Sequence, residues 1–175
     1  MSTRNVVIAA ALLAFASGTA LAQQGPNLGQ PITEADIGAW NLNAMGDGSG
    51  LPPGSGTPEQ GKPIYAAKCA LCHGEGGKGG SSARLVGKPP ITGIDSPKTI
   101  ANFWGYSTTV FDFIRRAMPW VTPRTLTDDE VYAITAYILA ENKLIGPNDV
   151  MNKDTLPKVK MPNADNFIIR FPDRI

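Results

Sequence analysis

Residues 69–73 read Cys-Ala-Leu-Cys-His ("CALCH"), and they contain both cysteines and the only histidine of a 175-residue chain. Such a concentration of thiol and imidazole groups indicates one chemical task that the three side chains share. Four kinds of site use these residue types: a structural zinc site, a redox dithiol, a disulfide, and an attachment site for haem. The sequence on either side of the motif distinguishes between them.

The first three sites fit the sequence poorly. A structural zinc ion needs four ligands, which one histidine and two cysteines do not provide without added carboxylates. A thioredoxin-like dithiol begins a helix that follows a strand, whereas Cys69 follows a predicted helix and His73 enters a glycine-rich loop. A disulfide leaves His73 without a role. In the fourth site, both thiols add to haem vinyl groups and the imidazole binds the iron. The motif therefore predicts one covalent haem c, attached through Cys69 and Cys72, with His73 as an axial ligand.

The second axial ligand of the iron has to be a different residue type, because His73 is the only histidine. Methionine sulfur is a common partner of histidine in electron-transfer haems. Met118 ends a predicted helix just before a proline, Met45 lies in a glycine-rich stretch, and Met151 and Met161 follow the last predicted helix. We expect Met118 to be the ligand. A lysine ligand, an open position, and a core-packing role for Met118 are the alternatives.

A helix is predicted to lead into the motif, from about Pro58 to Ala70. Thr57 and Gln60 have the spacing of a capping box at its start, and proline suits the first helical position. Gly61 predicts a close helix crossing that admits an aromatic ring, with Tyr137 as the candidate. A single helical turn is also expected in residues 33–40.

Three helices are predicted after the motif. A short one covers residues 96–104, and a second covers residues 107–118. The apolar side of the second is predicted to consist of Val110, Phe111, Phe113 and Ile114. The third begins at Thr127, whose capping box with Glu130 precedes an apolar pattern at helical spacing, and it is expected to end at Gly146-Pro147.

The first 22 residues have the layout of a cleavable secretory signal. Arg4 precedes an apolar run over residues 6–16, and small residues precede Gln23, the expected start of the mature chain. An uncleaved membrane anchor is the alternative, but the run is shorter than the roughly 20 residues that span a bilayer. We therefore expect an exported, periplasmic protein without a membrane association after cleavage.

The charge of the mature chain argues against a nucleic-acid partner. Without Arg4 the chain has 15 basic and 15 acidic residues, and nucleic-acid binders usually carry a basic excess. The adjacent Arg115 and Arg116 are expected on a solvated helix face, with a docking surface for an acidic partner as the alternative.

The chain divides by composition into four parts: a signal peptide at 1–22, a Gly/Pro-rich arm at 23–56, a compact domain at 57–145 and a tail at 146–175. The expected fold class is all-α, with three to five helices around one haem. The compact part has 89 residues, and a domain of this size has a thin apolar core. We therefore expect the haem-free chain to fold poorly.

Three stretches resemble class I c-type cytochromes over about residues 57–145. They are "GKPIYAAKCALCHGEGG" at 61–77, the Met-Pro of "RRAMPW" at 115–120, and "LTDDEVYAITAYIL" at 126–139. More narrowly, residues 105–123, 126–142 and "MNKDTLPKVKMPN" at 151–163 resemble the haem c subunits of sulfite dehydrogenases. The Gly/Pro-rich arm before Thr57 is a departure, since not every such subunit has one.

The resemblance implies a class I cytochrome c fold with an extended N-terminal arm and C-terminal tail. It implies haem attachment at Cys69 and Cys72, with His73 and Met118 on the iron. It also implies a carrier of single electrons and not an enzyme: the chain takes electrons from a molybdenum-containing dehydrogenase subunit and passes them to a soluble acceptor such as another cytochrome c. A freely diffusing cytochrome c and a haem enzyme with a labile sixth ligand are the alternatives. The arm and tail are expected to clasp the catalytic partner.

Overall fold

The computed structural model describes residues 28–38 and 40–167. The predicted signal at 1–22, the first residues of the arm, and the end of the tail lie outside the described residues. Within those two ranges, no helix has both the length and the apolar character that crossing a bilayer requires.

The described residues separate into two units, with the division between Trp40 and Asn41. In the first unit, helix α1 (Glu34–Gly38) is one short turn without a buried residue. The Thr33 amide donates a hydrogen bond to the Asp36 carboxylate across the start of this turn, at 2.8 Å. The predicted single turn in residues 33–40 is thus confirmed.

The second unit is built from helices, as predicted. Its helices are α2 (Pro58–Lys68), α3 (Ala70–His73), α4 (Ser107–Ala117) and α5 (Asp128–Glu141). Strands β1 (Ser55–Gly56) and β2 (Met151–Asn152) form a small antiparallel pair in which Ser55 faces Asn152. Both α2 and α4 pack against α5, so α5 is the common support of the helices that lead to CALCH and to Met118.

Helix α2 begins with the predicted capping box. The Gln60 amide donates to the Thr57 hydroxyl at 3.3 Å, and the Thr57 amide donates to the Gln60 side-chain oxygen at 2.9 Å. The helix continues past Pro63 and ends at Lys68, two residues before the predicted end. The chain then resumes as α3, which carries the motif.

Helices α2 and α5 cross closely at Gly61, as the sequence predicts. A Cβ atom at Gly61 would lie 1.9 Å from the Ala133 carbonyl oxygen and 2.8 Å from the Tyr137 Cβ atom. The rings of Tyr65 and Tyr137 meet beside this crossing, with centroids 5.0 Å apart. Only glycine allows the two backbones to approach so far.

Helix α4 covers the predicted region, but one member of its predicted apolar side is misplaced. Val110, Phe111 and Ile114 are buried, whereas Phe113 is 44% exposed. The three buried positions share one face at 100° per residue, and position 113 falls beside that face. The Phe111 ring packs on Tyr132 of α5 with centroids 4.4 Å apart.

The predicted short helix at 96–104 is wrong, because the segment forms turns. The Thr99 amide donates to the Asn102 side-chain oxygen at 2.7 Å, and the Asn102 amide group donates to the carbonyls of Pro89 and Pro97 at 2.8 and 2.9 Å. Asparagine and threonine side chains that bond the backbone in this way compete with helix formation.

Helix α5 starts with the predicted capping box but ends earlier than predicted. Its last residue is Glu141, five residues before Gly146. The Asn142 amide group donates to the Ile138 carbonyl at 2.9 Å, and Lys143 adopts a φ of 61°. A left-handed residue after such a cap ends a helix without glycine.

The segments that flank the helices contribute to the core. Residues 41–56 and 146–167 bury apolar side chains there: Ala44, Leu51, Met151, Leu156 and Met161. The Ser107 hydroxyl donates to the Leu156 carbonyl at 2.6 Å and ties the tail to α4. The domain limits at 57 and 145 remain predictions.

Candidate haem site

The CALCH motif forms a single helical turn after a bend at Cys69. The amides of Cys72 and His73 both donate to the Cys69 carbonyl, at 3.2 and 3.0 Å. Cys69 is half-buried, Cys72 is exposed, and neither is in a disulfide. The turn thus brings Cys69, Cys72 and His73 together, as the sequence predicts.

The His73 ring is held by one backbone contact. Its Nδ1 atom lies 2.8 Å from the Ala83 carbonyl oxygen. A carbonyl can only accept, so Nδ1 carries the proton. The Nε2 atom is then the basic nitrogen, which is the form that binds metals. From the sequence we expect a backbone carbonyl of the segment "ARLVGKPP" at 83–90 to accept a hydrogen bond from one ring nitrogen of His73, and the Ala83 contact confirms this expectation.

The glycine-rich loop after His73 folds back on the motif. The Gly79 amide donates to the His73 carbonyl at 2.8 Å, and the Ser82 amide donates to the Cys72 carbonyl at 2.9 Å. Gly74 has a φ of 76°, and a Cβ atom there would lie 2.2 Å from the Gly79 oxygen. The loop therefore requires glycine at position 74 in order to deliver Ala83 to the imidazole.

The acidity of Cys69 does not match a redox dithiol. Burial raises the pKa of the Cys69 thiol to about 11, so this group is protonated at neutral pH. Redox-active cysteines instead have lowered pKa values and react as thiolates. A protonated thiol in a half-buried turn is compatible with addition to a vinyl group, which forms a thioether.

Met118 differs from the other methionines in burial. Among the described residues, Met151 and Met161 are core residues with 4% and 2% exposure, and Met45 is 58% exposed. Met118 is half-buried and lies directly after α4, where its amide donates to the Ile114 carbonyl at 3.1 Å. A cis peptide bond joins it to Pro119.

Two ion pairs near these residues were missed by the sequence analysis. Arg115 Nε lies 2.8 Å from Asp128, and Lys68 Nζ lies 2.7 Å from Glu130. The solvated placement predicted for Arg115 is wrong, since its side chain is 17% exposed. Arg116 pairs with Asp112 one turn earlier in α4. No local pattern relates Arg115 to Asp128, which belongs to a different helix.

Comparison with known proteins identifies the family. Residues 56–138 match the family described as "Cytochrome C oxidase, cbb3-type, subunit III". The fold is also similar to the crystal structure of the sulfane dehydrogenase SoxCD from Paracoccus pantotrophus, with 36% identity and a TM-score of 0.77. That match covers 85% of this chain and 73% of the other. The chain is a c-type cytochrome.

A curated relative of this cytochrome is the thiosulfate dehydrogenase of Stutzerimonas stutzeri (strain A1501). It is 33% identical over 87 residues, which are 50% of this cytochrome and 28% of the relative. The cytochrome therefore matches less than a third of that protein's length. The matched segment is about as long as the family region at 56–138.

Membership in this family confirms the class I cytochrome c fold and the covalent haem c cofactor that the motif predicts. The described residues fit that cofactor. Two free thiols and an imidazole with an available Nε2 atom lie in one turn, which is what thioether attachment and axial ligation require. The cytochrome is an electron-transfer protein.

Proposed function

We propose that Cys69 and Cys72 form the thioether bonds to the haem, and that His73 Nε2 and the Met118 sulfur are the axial ligands of its iron. When bound, the haem supplies a one-electron redox centre. The observation that carries the assignment is the bond of His73 Nδ1 to the Ala83 carbonyl. This bond selects the tautomer in which Nε2 can ligate and fixes the plane of the ring.

The burial of the methionines supports Met118 as the second ligand. Met151 and Met161 are already used by the core, and Met45 is exposed. With His73 and Met118 both holding the iron, no ligand position on it would be left for a substrate. This arrangement favours electron transfer over catalysis by the chain itself.

We further propose that the chain is the electron-accepting subunit of a dehydrogenase for reduced sulfur compounds, with a molybdenum-containing catalytic subunit as its partner. The likeness to the sulfane dehydrogenase SoxCD covers 85% of the chain, whereas the family region covers only residues 56–138. The likeness therefore extends beyond the family region into the flanks. Sulfite is the substrate that the sequence resemblance favours.

The chemistry of sulfite sets the order of events. Oxidation of sulfite to sulfate takes an oxygen atom from water and releases two protons and two electrons. The partner subunit that accepts both electrons therefore has to pass them one at a time to a single haem. The chain must be reoxidised between the two transfers by a soluble acceptor such as another cytochrome c. We place these events in the periplasm. An exported protein should have lost its signal peptide, so mass spectrometry should show a mature chain that begins at Gln23.

The test uses the matured chain, alone and in the complex isolated from its native source. Reduction is followed by the visible haem spectrum after addition of sulfite, with thiosulfate and a sulfane compound in parallel. We expect sulfite to reduce the complex but not the isolated chain. Reduction of the isolated chain would favour a haem enzyme, and elution of all the chain as a monomer from native extract would favour a free carrier.

A further inference from the structure

Three consecutive acids at the start of α5 each contact a different segment of the chain. The contacts are Asp128 with Arg115 Nε at 2.8 Å, Asp129 with the Ser55 amide at 2.7 Å, and Glu130 with Lys68 Nζ at 2.7 Å. One turn of α5 thus joins the end of α4, the strand β1 and the end of α2. Residues 128–130 also complete the acidic first turn that suits a helix N-terminus.

Two of these partners are close in sequence to residues of the proposed haem site. Lys68 directly precedes Cys69, and Arg115 lies three residues before Met118. The start of α5 is therefore connected to the chain on both sides of the proposed site. The histidine side and the methionine side differ in the other contacts that hold them.

The histidine side is held by other bonds as well. His73 is fixed by the Ala83 carbonyl, and the motif is attached to the haem by two covalent bonds in the proposed site. Lys68 and Glu130 have side-chain exposures of 39% and 27%. Ion pairs exposed to this extent contribute little, so the histidine side does not depend on this one.

The methionine side lies at the start of a loop whose two ends are joined by an ion pair. Residues 118–127 connect α4 to α5, and residues 120–125 are all exposed, with Trp120 at 81% and Val121 at 85%. Arg115 lies before this loop and Asp128 directly after it, so their ion pair joins its two ends. The ion pair thereby fixes the distance between the two ends of this ten-residue loop.

The Arg115–Asp128 pair is also better placed than an ordinary surface pair. The two side chains are 17% and 35% exposed. The Arg115 guanidinium donates in addition to the Leu42 carbonyl at 3.3 Å, so one planar group holds α4, α5 and the segment before β1. Partial burial and two partners in a fixed geometry make such a pair stronger.

We propose that Arg115 and Asp128 are positioning residues that fix the ends of the methionine loop and so keep Met118 on the iron. This inference rests on Met118 being the ligand, as proposed above. Opening of the pair lets the loop ends separate, and Met118 then leaves the iron more often. An external ligand has access to the iron only during those intervals.

The test measures cyanide association with the matured ferric protein, together with the methionine-to-iron charge-transfer absorption band. Arg115→Leu, Asp128→Asn and the double variant should each bind cyanide about fivefold faster than the wild type, which is the effect of losing one such ion pair. The double variant should be no faster than Arg115→Leu, because that single variant already removes the Arg115–Asp128 interaction.

Lys68→Leu and Glu130→Gln are the matched controls, since they break an ion pair of similar length to the same turn of α5. We expect their cyanide rates to stay within about twofold of the wild type. Equal acceleration in the controls, or effects of Arg115→Leu and Asp128→Asn that multiply in the double variant, would overturn the inference. A wild type without the absorption band would instead overturn the ligand assignment.

Discussion

The two sides of the proposed iron site are built in different ways. On the histidine side, the imidazole and the residue after it are held by residues close in sequence: Ala83 accepts from His73, and the Tyr65 hydroxyl donates to the Gly74 carbonyl at 3.2 Å. On the methionine side, Arg115 contacts Asp128 in the next helix and Leu42, 73 positions earlier in the chain. The first side is local and covalent, whereas the second depends on tertiary structure and on a reversible bond.

This difference predicts different consequences of damage. Loss of the covalent side should remove the cofactor and with it part of the core of a small domain. Loss of the other side should leave the haem attached and change only the occupancy of its sixth position.

Replacement of both attachment residues, Cys69→Ala with Cys72→Ala, should abolish covalent haem and the cooperative thermal transition. The haem supplies apolar volume that a thin core lacks. Mass spectrometry measures the attachment, and circular dichroism measures the melt. Leu71→Ala is the control within the same turn, because Leu71 is 92% exposed. A native, cooperative melt of the double variant would contradict the prediction.

Gly61→Ala tests the helix crossing that supports both sides. The added methyl group meets the Ala133 carbonyl oxygen at 1.9 Å, so α2 and α5 must separate, at a cost of about 3 kcal/mol in the free energy of unfolding. Gly93→Ala is the control, since no atom lies within 4 Å of a Cβ there. Denaturant titration of the matured proteins gives both values. Equal losses in the two variants would show that the crossing tolerates the methyl group.

Tyr65→Phe sharpens the comparison on the histidine side alone. It removes the hydroxyl that donates to the Gly74 carbonyl, and such a bond contributes about 1 kcal/mol to the free energy of unfolding. Urea titration should show that loss, while the cyanide rate stays that of the wild type. Tyr106→Phe, at a 46% exposed position, should change neither quantity. A faster cyanide reaction in Tyr65→Phe would mean that the two sides are not independent.

Glu130→Gln should have the smallest effect, which is on the free energy of unfolding at acidic pH. The hydrogen bond from Lys68 and the Thr127 amide hold the pKa of Glu130 below its ordinary value of 4.5. A lowered folded-state pKa stabilises the protein above 4.5, and that contribution is lost as the pH falls through the folded-state value. The wild type should therefore lose more stability below pH 4.5 than Glu130→Gln does. Urea midpoints at several pH values measure this, and parallel profiles would contradict it.

Much of the fold was predictable from sequence because its signals are local. Capping residues at Thr57 and Thr127 set the starts of α2 and α5, and the CALCH spacing predicted the cofactor. Gly61 predicted the crossing, since a missing side chain at a helix interior needs a packing reason. The segment that binds the His73 ring was predictable as well, because it follows the motif within one loop.

The remaining features depend on contacts between residues whose proximity in the fold cannot be inferred from the sequence. Residues 96–104 have a helical start signal, yet the Asn102 side chain donates to the carbonyls of Pro89 and Pro97. Arginine is usually exposed to solvent, and only the tertiary fold brings Asp128 into contact with Arg115. The methionine side of the proposed site is accordingly the part that the sequence alone leaves most open.

The most direct test of the account is the absorption spectrum of the matured ferric protein with and without Met118. The wild type should show the methionine-to-iron charge-transfer band. Met118→Ala should keep its covalent haem and lose the band, whereas Met151→Leu and Met161→Leu should retain it, since these are volume-conserving changes in the core. A band that persists in Met118→Ala, or its absence from the wild type, would contradict the account.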